Sequence, residues 1–203
     1  QHNEQGKSEE IIDRLERGEN IALVTDAGTP GISDPGAIIV SRCIEKQIPF
    51  EVLPGATAIT TALIYSGLDT TKFIFRGFIP RETKERKILL EEIKDVKESI
   101  IIYESPHRLL STLDLIYNNL GNRKIAVCRE LTKLHEEIIR GSIEEVIKIF
   151  EERTIKGEFV LVIEGKQQEM IEEENRKKWE NLTIREHIVY YIENGSSKKD
   201  AIK

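Results

Sequence analysis

Apolar and polar positions along this chain alternate between two rhythms. Short continuous apolar runs at residues 21–25, 73–78, 99–103, 124–128 and 159–163 read as strands buried on both faces. Residues 50–53 read as another, and Ile138-Ile139 marks a shorter one. Between these runs the apolar spacing lengthens to three and four. Ile11, Ile12 and Leu15 share one face of a helix that Ser8 can cap and Gly18 can stop. Helical spacing returns at 37–46, 57–66, 81–97, 106–120 and 143–150. Strands alternating with helices predict an α/β fold with mostly parallel sheets.

A break near residues 76–80 divides the strand-bearing part into an α/β unit at 1–76 and a second at 77–165. Residues 166–203 form a charged helical tail without strands. In that tail Thr183 can cap a helix carrying Ile184, Ile188 and Ile192 on one face, and Gly195 turns toward another helix. Two readings fit: the first part of a helix-turn-helix, or a plain helical appendage.

Composition narrows the function classes. A length of 203 residues suits one large domain or two small ones. Thirty Lys and Arg against 36 Asp and Glu give a net charge of −6, which argues against a chain coated in positive charge but leaves room for a local basic face. No run of eighteen apolar residues and no signal-peptide pattern occur, so a cytoplasmic protein with no membrane partner is expected. Cys43 and Cys128 sit inside apolar segments and read as reduced core thiols. His2, His107, His135 and His187 are scattered without ligand spacing, so no metal is expected.

In folds of this kind, sites gather where strands run out into helices. Three loops stand out. Residues 26–36 hold Gly28, Gly31 and Gly36 with Pro30 and Pro35, which permits close approach to a ligand on a stiffened frame. Asp26 and Asp34 add carboxylates, and the lysine of a P-loop is missing. The same residues also suit an elaborate turn with capping aspartates. Pro54-Gly55-Ala56-Thr57-Ala58 leads small residues into a helix whose first N–H groups can face a ligand, or Thr57 simply caps that helix. Tyr103-Glu104-Ser105-Pro106-His107-Arg108 clusters aromatic, acidic, imidazole and guanidinium groups after a strand, a set able to accept a proton or bind polar substrate. Arg81, Lys84, Arg86 and Lys87 place four positive charges within seven residues, suited to holding phosphates, or to a solvated face paired with Glu82 and Glu85.

Together with 77–81 (Gly77-Phe78-Ile79-Pro80-Arg81), 128–133 (Cys128-Arg129-Glu130-Leu131-Thr132-Lys133) and 157–160 (Gly157-Glu158-Phe159-Val160), these strings follow one another in the order of a known family. The chain resembles the tetrapyrrole (corrin/porphyrin) methylase superfamily, in its branch that acts on ribosomal RNA. The resemblance implies two α/β domains with S-adenosylmethionine in the cleft between them. It implies a homodimer that methylates a cytidine ribose 2′-oxygen in 16S rRNA of the small ribosomal subunit. A corrin or porphyrin carbon methylase and a non-catalytic RNA- or partner-binding module are the alternatives. Carried over by position, Asp26, Ala27, Gly28, Thr29 and Pro30 line the cofactor, and Thr57 and Ala58 meet it from the helix start. Pro80 and Tyr103 come from the second domain, and Glu158, Phe159 and Val160 close the adenine side. Glu104, Glu130 and His107 are the candidate proton acceptors, Glu104 first, with Arg108 or Arg129 as electrostatic partners. Family members open on a strand and a Pro-Ile-Gly-Asn-type loop. Neither is found after Gln1, so an incomplete first sheet and an open cofactor cleft are expected.

Overall fold

The computed structural model describes residues 4–25, 28–33, 36–168, 170–172, 183–193, 195 and 197–199. Among the described residues these elements follow in chain order: α1 (Glu4–Glu16), α2 (Ala37–Glu45), α3 (Ala58–Ser66), β1 (Phe73–Phe78), α4 (Thr83–Lys94), β2 (Ser99–Glu104), α5 (Leu109–Leu120), β3 (Lys124–Arg129), β4 (Glu137–Ser142), α6 (Ile143–Glu151), β5 (Phe159–Ile163) and α7 (Ile184–Glu193).

The five strands form one sheet in the order β1-β2-β5-β3-β4. Its alternation explains the continuous apolar runs. Ile100 and Ile102, Ile125 and Val127, and Phe159, Leu161 and Ile163 face a core built with Leu90, Ile93, Leu113, Ile116 and Phe150 from α4, α5 and α6. Ile101, Ala126, Cys128, Val160 and Val162 face the other way, onto Ile59, Ala62 and Leu63 of α3. Helices therefore cover both faces, and no strand position in the centre can be polar without being buried.

The mixed α/β class is as expected, but the pairing is not mostly parallel. Only the β1–β2 pair is parallel; β5 enters antiparallel between β2 and β3, and β4 is antiparallel to β3. β1 crosses the break read at 76–80 and joins the same sheet as the later strands.

Residues 21–25 and 50–53, expected as strands, carry no strand pairing among the described residues. Val24 is 81% exposed and Leu53 77%. An apolar extended segment becomes a strand only beside a ladder partner about 4.8 Å away, and none of the described residues supplies one. Ser8 is not a cap: α1 starts four residues earlier and Ser8 is buried within it. Gly18 does stop the helix, at φ 86°. α1 lies along α2 through Arg42–Glu9 and Lys46–Glu16 ion pairs of 3.3 and 2.7 Å. Cys43 and Cys128 are both buried free thiols, and burial pushes the Cys128 thiol up to about 11. Among the described residues no helix is long and apolar enough to cross a membrane.

In the tail, Thr183 and Glu186 cap α7 reciprocally. The Glu186 carboxylate accepts from the Thr183 N–H at 2.8 Å, and Thr183 Oγ1 accepts from the Glu186 N–H at 3.4 Å. Gly195 turns at φ 92°. The second tail helix expected after Gly195 lies largely outside the described residues.

Candidate active site

Strand register gathers the sequence motifs at one end of the sheet. Tyr103 on β2 and Cys128 on β3 both stand opposite Val160 on the central strand β5. One step further out, Glu104 and Arg129 both stand opposite Phe159. β1 ends beside them, with Phe78 in register with Tyr103 after an irregularity. Phe75 and Phe78 pack edge-on against the Tyr103 ring, with centroids at 4.9 and 5.7 Å. Phe78 keeps 52% of its surface exposed, an aromatic face open at the sheet end.

The two amino-terminal loops meet each other and reach this end. Thr29 Oγ1 donates to the Ala56 carbonyl at 3.2 Å, and Thr25 Oγ1 donates to the Gly28 carbonyl at 3.3 Å. A Cβ on Gly28, whose φ is 78°, would stand 3.3 Å from the Ala56 carbonyl oxygen; one on Gly55 would stand 3.0 Å from Thr29 Oγ1. Gly28 has the left-handed φ that favours glycine, and the absent side chains of Gly28 and Gly55 leave the two loops room to meet. Across the other side, the nearest heavy atom to a Cβ built on Gly77 is Ser33 Oγ, at 3.8 Å. Thr57 caps α3, its hydroxyl accepting from the Ile59 N–H at 3.3 Å, and Ala58 opens the helix. Pro30 is half-buried. Asp26, Ala27, Asp34 and Pro35 lie outside the described residues.

Glu104, ranked first among the candidate proton acceptors, turns inward. Its side chain is fully shielded from solvent. Oε1 accepts from the Ser105 N–H at 2.7 Å, and Oε2 accepts from Thr112 Oγ1 on α5 at 2.7 Å. Arg108 Nε lies 3.6 Å from Oε1. Arg108 in turn donates through Nη2 to the Ile79 carbonyl at 2.6 Å, just before the half-buried Pro80. These groups fasten the start of α5 to the end of β2 and to the segment entering α4. His107, between them, is exposed.

Glu130 is tied down as well. Its Oε1 accepts from the Glu158 N–H at 2.8 Å and from Lys133 Nζ at 3.2 Å. Chiefly that backbone N–H holds its carboxyl below the usual carboxylate range, which weakens it as a base. Arg129 donates to the Lys156 carbonyl at 2.7 Å and sits 3.7 Å from Glu137. Both residues brace the turn into β5, where Glu158 is exposed and Phe159 and Val160 are buried.

Beyond Pro80, Arg81 is exposed just before α4, and on the first turns of that helix Lys84 and Lys87 are exposed and Arg86 half-buried. None forms an ion pair among the described residues, so the paired face with Glu82 and Glu85 is not made. The cap residue Glu82 makes no side-chain bond to the helix, leaving its first N–H groups open beside these cations. A cavity of about 880 Å³ lies at the opposite end of the sheet, among Ser99, Lys124, Arg140, Ser142 and Glu164, and takes in no motif residue. Sequence reasoning gave no role to Thr112, Lys133, Gly157 or Ser33. For Thr112 the available signal was a hydroxyl at the first turn of the helix after a strand-end carboxylate; for Gly157 it was a glycine facing a bulky acidic side chain across a turn.

This gathering of ordered motifs at one sheet end matches a known pattern. The family model for Tetrapyrrole (Corrin/Porphyrin) Methylases matches residues 1–147. The chain belongs to this family. It is 50% identical over 203 residues to the Ribosomal RNA small subunit methyltransferase I of Bacillus subtilis, covering 100% of this chain and 69% of that protein. It is 48% identical over 203 residues to the protein of the same name from Halalkalibacterium halodurans, covering 100% of this chain and 70% of the relative. Among solved structures, the methyltransferase CobJ superposes with a TM-score of 0.60 at 15% identity, covering 80% of this chain and 71% of the other, a likeness of fold.

Proposed function

We propose that this methylase transfers a methyl group from S-adenosylmethionine to the ribose 2′-oxygen of a cytidine in 16S rRNA of the small ribosomal subunit. The observation that carries the reading is the register of β2, β5 and β3, which brings three separated motif strings to one sheet end where two glycine loops also arrive. The names of relatives near 50% identity support the RNA acceptor over a tetrapyrrole.

The residues present fit the donor. Gly28 and Gly55 let the two loops come together at this end, and the exposed Phe78 face beside Tyr103 suits an aromatic base. Gly28, Thr29 and Pro30 would hold the donor with Thr57, Ala58, Pro80, Tyr103 and residues 158–160. When bound, the donor supplies an electrophilic methyl carbon on a sulfonium. The chain's own task is alignment, since in-line displacement needs oxygen, carbon and sulfur in a row. Of the candidate proton acceptors, His107 is the one whose side chain is exposed at this end, and it takes that role in the proposal. Arg81, Lys84, Arg86 and Lys87 hold RNA phosphates without reading sequence. The reading includes a homodimer acting in the cytoplasm, which analytical ultracentrifugation tests for the dimer.

The test is incubation with small-subunit particles and donor carrying a radiolabelled methyl group. Label in 16S rRNA that survives as an alkali-resistant dinucleotide is expected, because a 2′-O-methyl blocks strand cleavage. Label on a supplied precorrin, with none on RNA, overturns the proposal in favour of a tetrapyrrole methylase.

A further inference from the structure

The turn after β3 contains a substitution of side chain for main chain. In an antiparallel ladder, the pair beyond Arg129 and Phe159 is Glu130 with Glu158, which would exchange two main-chain bonds. Half of that exchange is present: the Glu130 N–H donates to the Glu158 carbonyl at 3.0 Å. The other half is rerouted. Glu130 is left-handed, at φ 47°, and its carbonyl accepts instead from the Lys133 N–H at 2.9 Å. The Glu158 N–H then donates to Glu130 Oε1, 2.8 Å away, so a carboxylate takes the place of the lost carbonyl.

Three further features secure this arrangement. Lys133 Nζ bridges the two carboxylates, at 3.2 Å from Glu130 and 2.7 Å from Glu158. Gly157 lies flat on the Glu130 side chain; a Cβ there would fall 2.7 Å from Glu130 Cγ, and its φ is 98°. Thr132, at φ 66°, is a second left-handed residue in the same turn. Left-handed conformation is unfavourable for non-glycine residues, so the surrounding bonds must over-determine it. The outcome is that β3 turns away while the first residues of the central strand stay in register between β2 and β3.

We propose that Glu130, with Lys133 and Gly157, is a clasp that positions residues 158–160 for binding the methyl donor. Glu130 is a positioning residue and takes no proton from the substrate. The proposal rests on the methyl-transfer reading for its ligand, and on the geometry alone for the clasp.

The test uses the full chain with Glu130→Gln, Glu130→Ala and Lys133→Met. Calorimetric binding of S-adenosylhomocysteine is read first, then donor KM against kcat, then hydrogen exchange of the Glu158 amide. Gln keeps an acceptor oxygen for the Glu158 N–H, so it stays within about twofold of wild type in donor affinity. Ala removes the acceptor; it weakens donor binding about tenfold, the size of one hydrogen bond, with the loss in KM more than in kcat. It also speeds Glu158 exchange. Lys133→Met weakens binding less than Ala does and in the same direction. Wild-type donor affinity and wild-type Glu158 exchange in Glu130→Ala overturn the clasp. A large fall in kcat for Glu130→Gln with KM unchanged overturns it in favour of a base. If the wild-type chain binds no donor, the methyl-transfer reading fails, and Glu158 exchange alone then decides whether the clasp exists.

Discussion

Glu104→Gln separates a carboxylate that does chemistry from one that holds the fold. In the native protein its two oxygens accept from the Ser105 N–H and Thr112 Oγ1, each at 2.7 Å, with Arg108 at 3.6 Å and no solvent on the side chain. Glutamine offers one acceptor and one donor. Its oxygen can serve only the Ser105 N–H or the Thr112 hydroxyl, and the rotatable hydroxyl is the partner able to turn round and accept from the amide. Two charge-assisted bonds thereby become neutral, and each step from charged to neutral costs about 1 kcal/mol. The Arg108 guanidinium, a quarter exposed, also loses its counter-charge, worth about 0.5–1 kcal/mol at such a site. The sum is about 2.5–3 kcal/mol. With a urea m-value of about 2 kcal/mol per molar, the unfolding midpoint falls by about 1–1.5 M. Single-turnover methyl transfer, measured well below the unfolding range, stays within about threefold, whereas removal of a general base costs about a hundredfold or more. A hundredfold slower turnover with an unmoved urea midpoint would refute the argument from burial and return Glu104 to the chemistry.

Three further outcomes follow from other parts of the structure. Arg123 is buried and donates to the Leu120, Lys94 and Glu164 carbonyls at 3.0, 2.5 and 3.4 Å, joining the ends of α5, α4 and β5. Arg123→Leu strands those carbonyls and costs about 3–5 kcal/mol by urea unfolding; a loss under about 1 kcal/mol contradicts this. Replacing both Lys84 and Lys87 with Ala reduces the slope of log affinity for RNA against log salt by about 1.4–1.8, since each phosphate contact contributes about 0.7–0.9; an unchanged slope removes this helix from the RNA surface. The Glu130 carboxyl is held low in the folded state, so its contribution is complete above the unfolded carboxylate value of about 4.3 and disappears as pH falls through the lowered one. Wild type therefore loses stability on acidification below about pH 5 more steeply than Glu130→Gln, as read by thermal melts across that range; parallel pH curves contradict it.

How far the sequence reveals the fold depends on what each element needs from its neighbours. Residues 99–103, 124–128 and 159–163 were legible because burial on both faces writes an unbroken apolar run, and 73–78 showed through its aromatic and aliphatic content although that edge strand is only half-buried. β4 showed only Ile138-Ile139, since an edge strand is half-buried and its remaining positions are free to be polar. Residues 21–25 and 50–53 have the same apolar signature without becoming strands: apolar content reports a need for cover, while a ladder requires a partner that local sequence does not specify. Strand order is likewise silent in the sequence, so the antiparallel insertion of β5 between β2 and β3 contradicts the expected parallel sheet. The motif strings were readable as a set, but the direction in which Glu104 points was not. A carboxylate at a strand end can turn outward to a ligand or inward to the next helix, and Thr112, eight residues on, decides it.

The same inward turn recurs around this sheet end, and it bears on the proposed chemistry. Glu104 fastens the β2–α5 connection, and Glu130 replaces a carbonyl at the β3–β5 junction. Acidic residues that sequence order makes attractive as bases are thus fixed as acceptors for backbone and hydroxyl donors. A reaction limited by deprotonation would be poorly served by that arrangement, because a carboxylate already bonded to strong donors is a weak proton acceptor. Displacement at a sulfonium methyl is different: the electrophile is activated by its own charge, and rate depends on how narrowly the nucleophile, carbon and leaving group are held in line. Rigid connections at every strand end then contribute more than a strong base would. On the methyl-transfer reading, the carboxylates at this end serve the reaction through the backbone they hold.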